Sequence, residues 1–130
     1  MEERIEELDW VTQRSECSLS VIFEKLKTQI QADVKTRNSM RPELAPYIFN
    51  VGVKGDTIIV TADSNRPYMA VQFELSGKSI VVKNKRDEVM AEATLTLNDR
   101  GECKLKVAGQ EQELWQFRRK ALEDLFFNYF

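Results

Sequence analysis

An α+β fold is predicted for this chain by two changes of period in its hydrophobic pattern. Apolar residues recur every three or four positions up to Arg37, alternate with polar ones from residue 47 to Val107, and return to helical spacing after Gly109. The expected architecture is a long N-terminal helix, a six-stranded antiparallel meander curled with one face covered, and a C-terminal helix. At 130 residues this is one ordinary domain, residues 1–130, long enough to bury a core.

The helical segment covers residues 1–37. Ile5, Leu8 and Val11 share one side, and Leu19, Ile22, Phe23, Leu26, Ile30 and Val34 form the apolar stripe of a second stretch. A single unbroken helix over this span would be about 50 Å long, whereas a compact domain of this size has a radius of gyration near 14 Å, roughly a quarter of that. Ser15, Cys17, Ser18 and Ser20 are the weakest helix formers in the run. A break near 15–18 is therefore expected, with Ser15 or Ser18 capping the second segment; without a break, the first turns would pack on another molecule.

Residues 38–46 read as a linker, because Asn38 and Ser39 end the periodicity and Pro42 and Pro46 disfavour helix in the residues before them. The sheet covers residues 47–107. Tyr47, Phe49, Val51 and Val53 alternate with Ile48, Asn50 and Gly52, and the same alternation returns around Ile58, Val71, Ile80, Ala91 and Leu105. Turns at Lys54-Gly55-Asp56, Ser76-Gly77-Lys78, Arg86-Asp87 and Asn98-Asp99-Arg100-Gly101 separate the runs, the last suited to a left-handed Gly101. Such short connections give antiparallel neighbours, and the alternation gives one apolar and one mostly polar face.

The closing helix is expected over residues 111–129, with Leu114, Trp115, Ala121, Leu122, Leu125, Phe126 and Tyr129 on one side. Residues 112–117 also fit the start of a seventh strand. Both helices then compete for the apolar face of the sheet.

Composition narrows the function. An apolar share of 42% with 31% charged residues belongs to a folded protein, and a net charge of −2 gives no general attraction to nucleic acid or anionic membranes. No apolar run approaches the roughly 18 to 20 residues that span a bilayer. The first residues are acidic where a secretory signal would be basic, so a cytoplasmic location and no membrane partner are expected. Cys17 and Cys103 are then expected to be a reduced, structural pair, although their spacing leaves a bond undecided.

The absence of histidine removes Ser-His-Asp and Cys-His chemistry, histidine metal sites and the usual proton shuttle at neutral pH. Two isolated cysteines do not make a thiolate metal cluster, and the five glycines stand singly, without a phosphate-cradling loop. The carboxylates of Glu2, Glu3, Glu6, Glu7 and Asp9 read as a solvated helix end. No catalytic residue, cofactor or metal site is predicted, and the chain is read as a binding protein rather than an enzyme.

Three binding surfaces are expected. Phe117, Phe127 and Phe130 fall off the stripe of the last helix, and Ile59 and Met90, with Ile48 and Val81, point outward from the sheet, together suggesting a protein partner or self-association, as a homodimer. Arg118, Trp115, Tyr47 and Phe73 would instead line a site for a small amphipathic ligand between the curled sheet and the helices, with Arg118 as the anionic anchor; the alternative is an arginine sending its guanidinium to water. Lys83, Lys85, Lys104 and Lys106 on the outer face raise nucleic acid, but Glu74 and Glu92 share that face and only Tyr68 is placed to stack, so nucleic acid comes third. The sequence thus reads as a non-catalytic protein-interaction or adaptor module, with a ligand carrier as the alternative.

Overall fold

The computed structural model describes residues 9–40, 48–63 and 69–127. Helices α1 (Trp10–Glu16) and α2 (Leu19–Ser39) precede strands β1 (Ile48–Lys54), β2 (Thr57–Asp63), β3 (Met69–Ser76), β4 (Ser79–Asn84), β5 (Val89–Leu97), β6 (Cys103–Val107) and β7 (Gln110–Gln112), and α3 (Leu114–Phe127) closes the chain. The class is α+β. Every strand pairs antiparallel with its neighbour in sequence, in the order β1 to β7, and the sheet is not closed into a barrel.

The helical run is interrupted at Cys17 and Ser18, where the Ser18 hydroxyl accepts from Val21 N at 3.3 Å and caps α2. On α2 the residues Phe23, Leu26, Ile30, Val34 and Arg37 are buried, a single stripe ending in an arginine. The side chain of Asn38 clasps β1 from the end of α2. Its Nδ2 donates to Phe49 O at 2.9 Å and its Oδ1 accepts from Phe49 N at 3.0 Å, so the chain re-enters the sheet at a fixed point.

The sheet contains seven strands rather than six. The extra strand is Gln110–Gln112, reached from β6 by a two-residue turn at Ala108 (φ 51°) and Gly109 (φ 81°). Positive φ at both central residues matches the right-handed twist of a hairpin. Only one of the two is a glycine and the strand has three residues, which is too short to display an alternation. The two longer turns share one device: Asn84 Oδ1 accepts from the amides of Arg86 and Glu88, and Asn98 Oδ1 from those of Arg100 and Glu102. Each Asn thus folds its own turn, with Asp87 and Gly101 in the left-handed region.

Both helices cover the same face of the sheet. Phe49, Ile58, Val60, Phe73, Ile80, Val82, Ala93 and Leu105 from the strands meet Leu26 and Ile30 of α2 and Phe117, Leu122 and Leu125 of α3 in one core. Phe49 and Phe126 pack edge to face at 4.9 Å, and Phe73 and Phe117 at 6.1 Å. Phe117, expected at a partner interface, is therefore a core residue, only 2% exposed. Val81 on the outer face is also buried.

Cys17 and Cys103 are joined in a disulfide, with Cα atoms 5.5 Å apart. This replaces the expected reduced pair. The bond ties the joint between α1 and α2 to β6, across 86 residues of sequence.

Candidate functional site

On the side of the helices away from the sheet, α2 and α3 leave a groove of about 440 Å³. Asp33, Thr36, Arg37 and Met40 form one wall; Trp115, Arg118, Leu122, Phe126 and Phe127 form the other. Local sequence explains how α3 presents its wall. Gln116 Oε1 accepts from Glu113 N at 2.8 Å, the return half of a capping box, which starts the helix at Leu114. Phe117, Ala121 and Leu125 then turn into the core, so Trp115 is turned outward.

Arg37 positions the far end of the groove. It is 5% exposed, its Nε donates to Phe126 O at 2.9 Å, and its guanidinium lies 5.3 Å from the Phe49 ring and 5.1 Å from the Phe127 ring. A helix leaves its last carbonyls without intrahelical partners, and a cation there meets both that need and the negative end of the dipole. Burial pulls the guanidinium below its ordinary pKa, but it remains charged at any physiological pH.

Arg118 crosses the groove floor. Its Nε donates to Asp33 Oδ2 at 2.6 Å and its Nη1 to Gln29 Oε1. The guanidinium is thus engaged by two side chains of α2. It neither extends freely into water nor stands over a cavity between sheet and helices. Arg119 pairs with Glu123 along α3. The groove thus carries aromatic and thioether side chains at its rim, an apolar floor of Leu122 and Phe126, and charges that neutralise one another. Met40, Trp115 and Phe127 are 66%, 53% and 54% exposed.

Trp115, Arg118 and Phe127 are therefore brought together. Phe73 is fully buried beside Phe117 and faces no ligand space. Ile59 is half-buried on the outer face of β2, opposite Gly52 and Gln72, and Met90 is exposed on β5 where the register with β4 shifts. Neither adjoins the groove. Tyr47 and Phe130 lie outside the described residues, as does Tyr68. Met40, Asp33 and Arg37 were missed by the sequence reading. Arg37 had a signal: it follows Ile30 and Val34 by seven and three residues, in phase with the stripe.

Two further cavities flank this region. One of about 510 Å³ lies between β7 and the other flank of α3, lined mainly by polar residues such as Gln110, Gln116 and Lys120. A smaller one of about 220 Å³ lies between α2 and β6, beside Lys25 and Lys104. Gln112 borders both, and its buried Oε1 has no hydrogen-bond partner.

Of the four lysines expected on the outer sheet face, Lys83 and Lys104 are held in ion pairs. Lys83 pairs with Glu74 at 3.0 Å and Asp87 at 3.6 Å, and Lys104 with Glu113 and, at 3.8 Å, Glu102. These partners hold both ammonium groups above their ordinary pKa, through hydrogen bonds to Glu74 and Glu113 respectively. Among the described residues no helix is long and apolar enough to cross a membrane, and no three acidic or cysteine side chains are placed to hold a metal ion.

No family model matches the chain, and comparison with curated proteins and with solved structures finds no significant match for either sequence or fold.

Proposed function

We propose that the chain is a non-catalytic association module that binds protein, including a second copy of itself, through the groove between α2 and α3. The observation that carries this reading is the exposure of Met40, Trp115 and Phe127 around an apolar floor, inside a frame of paired charges. Interface hot spots have this anatomy: aromatic anchors at the centre, with arginines and a polar rim excluding water. A small-ligand carrier remains the second reading. Against it, Phe73, Ile30 and Phe117 are buried on one another between sheet and helices, the cavity between α2 and β6 holds only about 220 Å³, below the usual size of a drug-sized site, and Arg118 is already engaged by Asp33 and Gln29.

The test is the mass of the full chain by light scattering and native mass spectrometry, beside the double variant Trp115→Ser, Phe127→Ser. A dimer that falls to 15.1 kDa in the variant supports the reading. A monomer carrying a co-purified small molecule overturns it in favour of the carrier. Nucleic acid as partner would need a strongly salt-dependent affinity, and the paired state of Lys83 and Lys104 weighs against it.

A cytoplasmic location would keep Cys17 and Cys103 reduced for most of the protein's life. The disulfide favours an oxidising compartment instead. Counting free thiols in protein isolated from its own host under alkylating conditions decides between the two.

A further inference from the structure

Among the described residues, the strongest tie between α1 and the sheet is covalent: Cys17, directly after the helix, is bonded to Cys103 on β6. Packing adds little to it. None of the seven residues of α1 is buried, only Gln13 is half-buried, and Trp10 and Val11 are 65% and 58% exposed. Its hydrogen bonds stay local. Asp9 caps its start by accepting from Thr12 N at 3.2 Å and Thr12 Oγ1 at 2.7 Å, Ser15 Oγ donates to Thr12 O at 2.8 Å, and the Cys17 amide closes the last turn on Gln13 O and Arg14 O. The next helix holds by other means, since Ser18 caps α2 through Val21 N and Leu19 and Ile22 pack against the core.

We propose that the Cys17–Cys103 disulfide is a redox-operated latch on α1, opened by a dithiol reductant that enters at Cys103. Access sets the side of entry. Cys17 is buried, whereas Cys103 is half-buried and borders the cavity of about 220 Å³ between α2 and β6, so an incoming thiolate meets Cys103 first. The thiolate attacks the Cys103 sulfur and forms a mixed disulfide there; the Cys17–Cys103 bond breaks, and its electron pair leaves on the Cys17 sulfur, which takes up a proton. The second thiol of the reductant, losing its own proton, then attacks the reductant's bonded sulfur and frees Cys103 as a thiol. The reductant is oxidised to its disulfide, and two electrons pass to the two cysteines.

Release has a local consequence. A helix of seven residues falls below the roughly 12 to 15 that hold in water without packing. Once the bond opens, α1 melts and swings from Ser18, while α2, the sheet and α3 keep their shared core. The latch is shut in an oxidising compartment and opens on transfer to a reducing one.

The test compares full-length oxidised protein with protein reduced by excess dithiothreitol and alkylated with iodoacetamide. Trypsin is expected to cut after Arg14 at least about tenfold faster in the reduced form, because cleavage tracks the population of the open form. The product, residues 15–130, should keep the folded circular dichroism spectrum. The double variant Cys17→Ser, Cys103→Ser, never exposed to reductant, should be cut like the reduced form. Equal cleavage of the oxidised and reduced forms means that α1 is held without the bond, and loss of the folded spectrum on reduction means that the bond holds the whole fold; either result overturns the latch. Brief exposure to glutathione, quenched with iodoacetamide, traps the mixed disulfide for peptide mapping. An adduct on Cys103 is expected, and an adduct on Cys17 would overturn the side of entry.

Discussion

Replacing Arg37 by Met tests how α2, β1 and the end of α3 are held together. Methionine retains an unbranched apolar stem and removes the guanidinium. The losses include the bond from Nε to Phe126 O at 2.9 Å and the cation–π contacts with Phe49 and Phe127. A hydrogen bond from a charged donor contributes about 1.5 to 3 kcal/mol, and each cation–π contact about 0.5 to 1 kcal/mol or more when desolvated. Releasing the buried charge offsets part of this. The net expectation is a loss of about 2 to 4 kcal/mol, measured by urea denaturation of the full chain. At about 4 °C per kcal/mol for a domain of this size, the thermal midpoint should fall by roughly 8 to 16 °C. Faster amide exchange should appear first in the last turn of α3, whose carbonyl loses its donor. Arg118→Met provides the comparison, because its partner Asp33 is one-third exposed and such a pair contributes about 1 kcal/mol at most. A loss below about 0.5 kcal/mol for Arg37→Met, or a larger one for Arg118→Met, would refute the reasoning.

Phe117→Ala should cost about 3 to 5 kcal/mol as a core truncation, whereas Phe127→Ala should cost far less in the monomer; equal costs in a chemical denaturation would contradict the placement of Phe117 against Phe73. Replacing Cys17 and Cys103 together by Ser should destabilise by up to about 4.6 kcal/mol, the chain-entropy value for closing a loop of this separation; an unchanged denaturation midpoint under non-reducing conditions would contradict it. Gln112→Leu removes a buried acceptor that lacks a partner, so stability should stay level or rise by about 1 kcal/mol, and a loss of 2 kcal/mol or more would show that the acceptor is satisfied in solution. The Asp9 carboxylate is held below its ordinary 3.8 by hydrogen bonds from the side chain and backbone of Thr12. A depressed carboxylate stabilises its cap above that value and releases it as pH falls through the folded pKa, so the Thr12 amide shift should titrate with a midpoint below 3.8; a midpoint at or above 3.8 would remove the cap.

Much of the fold was legible because its signals are local. The spacing of Leu26, Ile30 and Val34 makes a one-sided helix whatever surrounds it, and the alternation through Ile58, Val71 and Ile80 makes a sheet with one apolar face. Asn98 and Gly101 announce their turn because one side chain and one positive φ suffice to close it. The groove was only half legible. Trp115 and Arg118 were singled out from α3, but their wall on α2 was not, since Arg37 and Met40 acquire meaning only when the two helices lie side by side.

The sequence by itself determined the class of fold, the order of its elements and the exclusion of histidine chemistry, because periodicity and composition are properties of the chain alone. Tertiary structure decided the rest. Trp115 and Phe117 are two residues apart on α3, about 200° around its axis, so packing one inward turns the other outward. Phe73 waiting on β3 takes Phe117, and Trp115 becomes surface. In the same way Cys17 meets Cys103 only after α2 and β6 have docked, a proximity that a sequence separation of 86 cannot encode locally.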